Sequence, residues 1–475
     1  MIGLLLATPI GLSLCVLFFR KRMVFRFAPL VHALITIICT AGLALGSNAA
    51  GLPRWIAPYF GTDAISILFL ALMSLVYLAT AIYSFSYFRN SDYQPMREAL
   101  FAICLMLFVA AMSAALLSTH LAFFWVFLEM TTLTTAVLIY HERTKSALEA
   151  TWKYVFICSI GITLAFVGII LLSLGSRSIE SLFIHDLIQH ADQIQPFWLK
   201  MAFAFILVGF GTKIGIAPIH AWLPDAHSEA PSPISALLSG TLLNTALIGY
   251  IRFYQIITAT SVSAYARHLT LAVGFLSLLI SAAFMLRIVN YKRMLAYSSI
   301  ENMGLIFIGL GLGGVGLFAA MLHTAAHSLS KTVLFLTTGN IYHLYGSKRI
   351  ADVHGLLSKS PANGWIWMLS FLAISGVPPF PAFFSKFMLV QACYEQSGWL
   401  AILFLLLLVI VFAGMAGVVL EMIFGAESHP AQSAIRSGWQ GIVPQIALLM
   451  LSLVIGLSIP GPIRMLLDRA AELIP

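Results

Sequence analysis

The sequence predicts an all-α polytopic membrane protein, and three observations carry that prediction. Of 475 residues, 60% are hydrophobic and 9% charged, against roughly 25% charged in an average soluble domain. Mean hydropathy is +0.96. Apolar stretches of about 20 residues, the length that spans a hydrocarbon core as a helix, recur along the whole chain and leave no segment long and polar enough for a soluble domain. Composition therefore excludes an ordinary globular enzyme. It also argues against a nucleic-acid partner, because the net charge of +8 sits on Lys and Arg in short connections between apolar runs and not on a basic face.

Apolar windows place fourteen helices, at residues 2–19, 27–46, 63–88, 100–118, 120–140, 152–175, 197–223, 231–258, 269–287, 294–313, 315–345, 364–394, 399–424 and 440–459. The first is not preceded by basic residues, and Arg20, Lys21 and Arg22 follow it. That order argues for a retained first span and against a cleaved signal peptide. The seventh runs into Pro218 and Pro224, and the twelfth carries Pro378, Pro379 and Pro381 in its middle. Proline removes backbone hydrogen bonds, which hydrocarbon tolerates only where protein or a water-filled cavity satisfies the freed groups, so helices 7 and 12 are read as broken. The connections after odd-numbered spans, from Arg20–Arg26 to Arg436, hold fifteen Lys and Arg, against seven on the other side. By the positive-inside rule both termini face away from the cytoplasm.

Five charges inside the spans are singled out: Glu129, Lys153, Lys213, Lys331 and Lys386. A charge at that depth costs a few kcal/mol and is kept for a partner or a water path. Glu129 sits mid-span with Trp125 and Thr132 on its face, and reads either as a proton-relay carboxylate or as half of a structural ion pair. Lys213 lies among glycines five residues before Pro218, where a neighbouring carboxylate can switch its proton affinity. Lys386 follows the second proline break. Lys153 stands near the start of its span with Glu149 at i−4, and is read either as a relay group or as a snorkelling one. His323, His327 and Lys331 at i, i+4, i+8 line one stripe of a helix, which suits a proton wire. Absence of HEXXH and of a flanking carboxylate argues against metal there. Asp225, His227 and Glu229, within a proline-bracketed loop, are read either as an ion mouth or as a hinge. The five cysteines lie in apolar runs without CxxC or Cys/His spacing, so no metal or cofactor is expected in this chain.

The strings Pro218-Ile-His-Ala-Trp-Leu and Pro379-Phe-Pro-Ala-Phe-Phe echo each other about 160 residues and five spans apart, and an odd span number inverts the second copy. Inverted repeats with matching broken helices mark transporter folds, although six positions do not by themselves establish a repeat.

Four further strings, HAWLPDAHSEAPSP (220–233), KRMLAYSSIENMG (292–304), HTAAHSLSKTVLF (323–335) and GVPPFPAFFSKF (376–387), resemble the antiporter-like membrane subunits of NADH:quinone oxidoreductase, Mrp cation/proton antiporters and group 4 membrane-bound hydrogenases. Within that group the chain is most similar to the F subunits of hydrogenase 4. The resemblance implies two inverted five-helix repeats. Residues 1–99 would hold helices 1–3, 100–258 the first repeat (helices 4–8), 259–425 the second (helices 9–13), and 426–475 helix 14 and a short tail. It also implies that Glu129, Lys153, Lys213, His323, His327, Lys331 and Lys386 match the relay residues of the family. Where many relatives place a lysine in the eighth helix, this chain has Asn244, which cannot titrate; water held by Asn244 and Thr241 is expected to stand in for it.

The implied function is a proton- or sodium-translocating subunit of a redox-driven membrane complex, such as a membrane-bound hydrogenase or a complex I relative. It would carry no redox site of its own and sit in a prokaryotic inner membrane beside antiporter-like paralogues and a redox arm. A subunit of a non-redox multisubunit cation/proton antiporter is the alternative, and an inert assembly subunit whose buried charges only fix helix packing is a third.

Overall fold

Apolar runs closed by proline, glycine or charge fold as helices throughout the residues described by this computed structural model: 1–19, 21–46, 52–88, 94–426 and 438–475. Arg20, Arg89 and Arg436 of the charge count lie outside the described residues. The N-terminal helices are α1 (Ile2–Phe19), α2 (Arg22–Ala44) and α3 (Ala64–Tyr87). They are followed by α4 (Pro95–Leu117), α5 (Leu121–Ile139), α6 (Lys145–Gly175), the short α7 (Ile184–Gln189), α8 (Pro196–Ile214), α9 (Trp222–Glu229), α10 (Ser232–Leu237) and α11 (Leu243–Thr258). Next come α12 (Ser263–Met285), α13 (Tyr291–Leu312), α14 (Val315–Tyr345), α15 (Leu356–Lys359), α16 (Pro361–Ser375), α17 (Pro381–Gln396) and α18 (Gly398–Phe424). The chain closes with α19 (Val443–Leu457) and α20 (Gly461–Glu472). Among the described residues no strand forms, only three isolated bridges between loops.

Helix starts follow local chemistry. Asp63 caps α3 by accepting from Ser66 N (2.8 Å), Thr144 caps α6 through Ala147 N (3.0 Å), and Asn290 caps α13 through the amides of Lys292 (2.9 Å) and Arg293 (3.2 Å). Prolines 95, 196, 361 and 381 occupy first-turn positions, where no amide donor is needed. These caps explain why several helices begin earlier than the apolar windows. A hydropathy window stops at the first charge, whereas α2 and α6 run on to Arg22 and Lys145 and let those side chains snorkel. Two of the residues counted as loop charges are buried within helices: Lys292 opens α13 and is 3% exposed, and Arg252 lies in α11 at 7%.

Among the described residues eleven helices are long and apolar enough to cross a membrane, and the pair α19–α20, bent by 76°, makes a twelfth if taken as one span. The 31-residue α14 has the length but not the hydropathy, because His, Ser, Thr and Lys interrupt it. Helices α16 and α17, of 15 and 16 residues, are each too short. Loop contacts sort into two faces. On one, Arg26 donates to Phe88 O, Ser146 and Lys348 reach Glu229, and Arg293 reaches Asp225. On the other, Arg252 binds Asp63 and Gln255 Nε2 donates to Leu473 O (2.7 Å).

Three helices that carry buried charge, α11, α13 and α14, lie inside, while α1, α5, α6 and α18 keep large apolar side chains outward. Between lipid-solvated helices packing, and not water exclusion, drives contact. At the α6–α8 crossing Gly209 lies so close to Ala165 that an added Cβ would stand 2.5 Å from its backbone nitrogen.

Candidate functional site

Both expected breaks are present, and they have the same shape. Helix α8 ends on Gly215 (φ 79°) and α16 on Gly376 (φ 89°), the left-handed conformation that glycine adopts freely. In each the next amide reaches back to close the helix, Ile216 N to Gly211 O and Val377 N to Leu372 O, both at 3.1 Å. In each the third residue after the glycine is a cis proline, Pro218 or Pro379. The strand of chain after the first break turns into α9, so Asp225, His227 and Glu229 lie on a short helix and not in the loop expected from sequence. Pro224 falls in its first turn, where proline is tolerated.

Lys213, fully buried, stands two residues before the first break. Its Nζ donates to Thr132 Oγ1 and to Tyr154 OH, both at 2.8 Å, and lies 4.9 Å from the centre of the Tyr154 ring. Thr132 in turn donates to Glu129 Oε2 (3.1 Å), and Ser159 donates to Oε1 (2.9 Å). Lysine and glutamate are therefore joined through a threonine hydroxyl instead of pairing directly.

The stripe His323, His327, Lys331 lies on α14, all three 0% exposed. His323 Nε2 hydrogen-bonds Asn302 Oδ1 and its Nδ1 hydrogen-bonds Ser385 Oγ, both at 2.8 Å. Beside them Lys386 Nζ pairs with Glu301 Oε1 at 3.2 Å, at side-chain exposures of 11% and 3%. Asn302 reaches Glu301 Oε2 at 3.4 Å. An open chain of hydrogen bonds results, Ser385 to His323 to Asn302 to Glu301 to Lys386, and Lys386 Nζ also donates to Ser375 O (3.3 Å). Lys331 Nζ donates to Leu295 O (2.9 Å), and His327 Nε2 is 3.2 Å from Ser239 O.

Asn244 occupies the gap between these groups, just after a single turn of π-helix (Leu238–Leu242). π turns displace a side chain by one position and recur at functional sites. Its Nδ2 donates to Ser328 Oγ (2.7 Å) and Gly240 O (3.0 Å), while Oδ1 is buried without a partner. Thr241, expected to hold water beside it, turns its hydroxyl to Leu237 O (2.6 Å) instead. Among the described residues no hydrogen bond joins Lys213 to Asn244 or to the α14 stripe.

Lys153 is not brought to this line. Its side chain is 47% exposed and pairs with Glu149 (2.7 Å) and Asp225 (3.0 Å). Asp225 also binds Arg293, and Glu229 binds Lys348 (3.1 Å) and Ser146 (2.9 Å). Ser146, Glu149, Lys153, Asp225, Glu229 and Arg293 border a cavity of about 90 Å³ at the face of the molecule. The carboxylates of α9 thus point outward, and only His227 points inward.

Two buried groups were missed by sequence reasoning. Glu301 sits eight residues into the tenth apolar window, the same signal that singled out Glu129. Lys292 was counted with the connections because it precedes that window.

Among the described residues no cluster of His, Cys, Asp and Glu has metal-binding geometry. A family profile described as NADH:quinone oxidoreductase/Mrp antiporter, transmembrane, matches residues 118–412. The hydrogenase-4 component F homolog of Methylacidiphilum infernorum is 34% identical over 420 residues, covering 85% of this chain and 86% of that protein. Hydrogenase-4 component B of Escherichia coli is 28% identical over 348 residues, and there the chain spans only 51% of its relative. A chain of the archaeal membrane-bound sulfane sulfur reductase shares the fold, with a TM-score of 0.89 at 24% identity, over 100% of this chain and 97% of that one.

Proposed function

Because the chain belongs to the NADH:quinone oxidoreductase/Mrp antiporter transmembrane family, we propose that it is the ion-translocating subunit of a redox-driven membrane complex. It moves protons or sodium ions along the buried line, with electron transfer carried out by partner subunits. One observation carries this reading. At each helix break a buried lysine faces a carboxylate, Lys213 toward Glu129 and Lys386 toward Glu301, and the His323–Lys331 stripe lies between them. Buried pairs add little net stability, so a series of them across hydrocarbon is better explained by charge transfer than by assembly. Moving one carboxylate changes the proton affinity of the lysine it faces.

The matching Gly–X–X–Pro breaks support the division into inverted repeats at 100–258 and 259–425. Counting α14 and the interrupted α16–α17 as spans, with α19–α20 as one, supports fourteen. The excess of Lys and Arg on the face that carries Asp225 supports a cytoplasmic position for that face and extracytoplasmic termini in a prokaryotic inner membrane. Resemblance to a hydrogenase-4 component supports redox partners and paralogous membrane subunits; purification with subunits that carry no redox centre would favour the non-redox antiporter instead.

Translocation is tested by Glu129→Gln and Lys213→Met in the assembled complex. Both should assemble, and ion uptake into inverted vesicles should fall at least tenfold. Wild-type uptake in both would reduce the pair to packing.

A further inference from the structure

We propose that His227, flanked by Lys292 and Lys331, is a hydrated proton-transfer site linking the Asp225 face to the α14 stripe; this rests on the translocation reading above. One ring contact and two contacts of the flanking lysines with nearby backbone locate its imidazole. The ring stacks on Phe335 at 4.7 Å and 16°, and Phe335 is one turn beyond Lys331 on α14. The carbonyl of Ala230, three residues after His227, accepts the Lys292 ammonium at 2.8 Å. Lys331 donates to Leu295 O, one turn after Lys292 on α13. The two lysines therefore bracket one turn of α13, and His227 faces that turn from α9. Lys331, Lys292 and His327 are the basic groups whose charge reaches it.

The imidazole is 0% exposed, yet among the described residues neither ring nitrogen has a hydrogen-bond partner. Ser330 Oγ, beside Lys331, and Nδ1 of His327 are buried and unpartnered too. Leaving one such group unpaired costs about 1–3 kcal/mol, and buried water, which needs two to four polar partners, is what would satisfy the two ring nitrogens. The backbone around the ring is fixed, since Ser235 Oγ donates to His227 O (3.0 Å). The site is thus rigid and polar, and it lies between a lysine near the Asp225 face and a lysine in the interior.

Its chemistry follows. A proton passes from the Lys292 ammonium through water to one ring nitrogen of His227, and the other ring nitrogen releases a proton to a neutral Lys331 amine. Asp225 and Glu229 take no part in that step: their ion pairs with Lys153, Arg293 and Lys348 hold α9 in place.

Two variants test the site in the assembled complex. His227→Gln keeps hydrogen bonding to water but cannot carry a proton, and Lys292→Arg keeps the charge and the bond to Ala230 O while guanidinium does not deprotonate. Each should assemble at the wild-type level and lower proton uptake by inverted vesicles at least tenfold. Wild-type uptake in His227→Gln overturns the proposal, and if that variant fails to assemble, wild-type uptake in Lys292→Arg overturns it. Lys213→Met and Lys386→Met are measured beside them. Loss of uptake in those two with retention in His227→Gln sinks the His227 site alone, whereas retention in all four sinks the translocation reading itself.

Discussion

Glu301 and Lys386 hold opposite charges together where neither would be stable alone, with side chains 3% and 11% exposed. Removing one partner of such a pair costs about 3–5 kcal/mol, because the other charge stays buried and uncompensated. Glu301→Ala should therefore destabilise the purified protein by about that amount in a thermal-unfolding series, and Lys386→Met combined with it should restore most of the loss. Asn244 makes the opposite case, a neutral group buried at 3% exposure. Its unpartnered Oδ1 calls for water, so Asn244→Leu should slow translocation by drying the site. Asn244→Lys should assemble; ordered apolar contact at Asn244 and unchanged flux in the leucine variant would leave it as a packing hydrogen bond of about 1 kcal/mol. Lys213 and Lys386 were legible as buried charges in the sequence because a side chain that deep in an apolar run cannot reach water. Glu301 went unread because Ile300, Met303 and the glycine-rich run after it average it away, and Lys292 because a window cannot see that α13 starts before its apolar part.

Helices 7 and 12 were legible as broken from their prolines, and their shared shape comes from Gly215 and Gly376, whose left-handed conformations no window records. The π turn before Asn244 had no sequence signal beyond Gly240. At the α6–α8 crossing, Gly209 sits four residues before Lys213, so its contact with Ala165 sets where that lysine lies. Gly209→Val should cost about 1–3 kcal/mol through overpacking and also weaken translocation, since the backbone of Ala165 cannot yield; unchanged unfolding and flux would mean that the crossing has slack. The N-terminus of α3 depends on Asp63. Burial pushes its carboxyl up, but the Arg252 guanidinium and the Ser66 hydrogen bonds more than offset this, leaving it below the usual carboxylate range. A depressed folded value stabilises above the unfolded pKa of about 3.9 and is lost as pH falls through the folded one. Wild type should therefore lose more thermal stability than Asp63→Asn on acidification from about pH 5 to pH 3; parallel losses would show that the pair contributes nothing.

On the scale of the whole molecule, buried polar groups form two clusters, Glu129 with Lys213 and Glu301 with Lys386 beside the α14 stripe, which the proposed line would join, while ion pairs close both faces, Asp63 with Arg252 on one and Asp225 and Glu229 with Lys153, Arg293 and Lys348 on the other. An inert assembly subunit would need the closures but not the line. The fold class was readable because hydrocarbon imposes length and composition; the routing of the proposed line was not, because it depends on which helices meet. The most direct test is ion uptake by inverted vesicles of the assembled complex carrying Lys386→Met, with assembly and redox turnover of the partner subunits measured in the same preparation. Translocation through this chain predicts, in the fraction that assembles with Glu301 left unpaired, at least a tenfold loss of the ions moved per redox turnover. Uptake per turnover equal to wild type in an assembled Lys386→Met complex would contradict it.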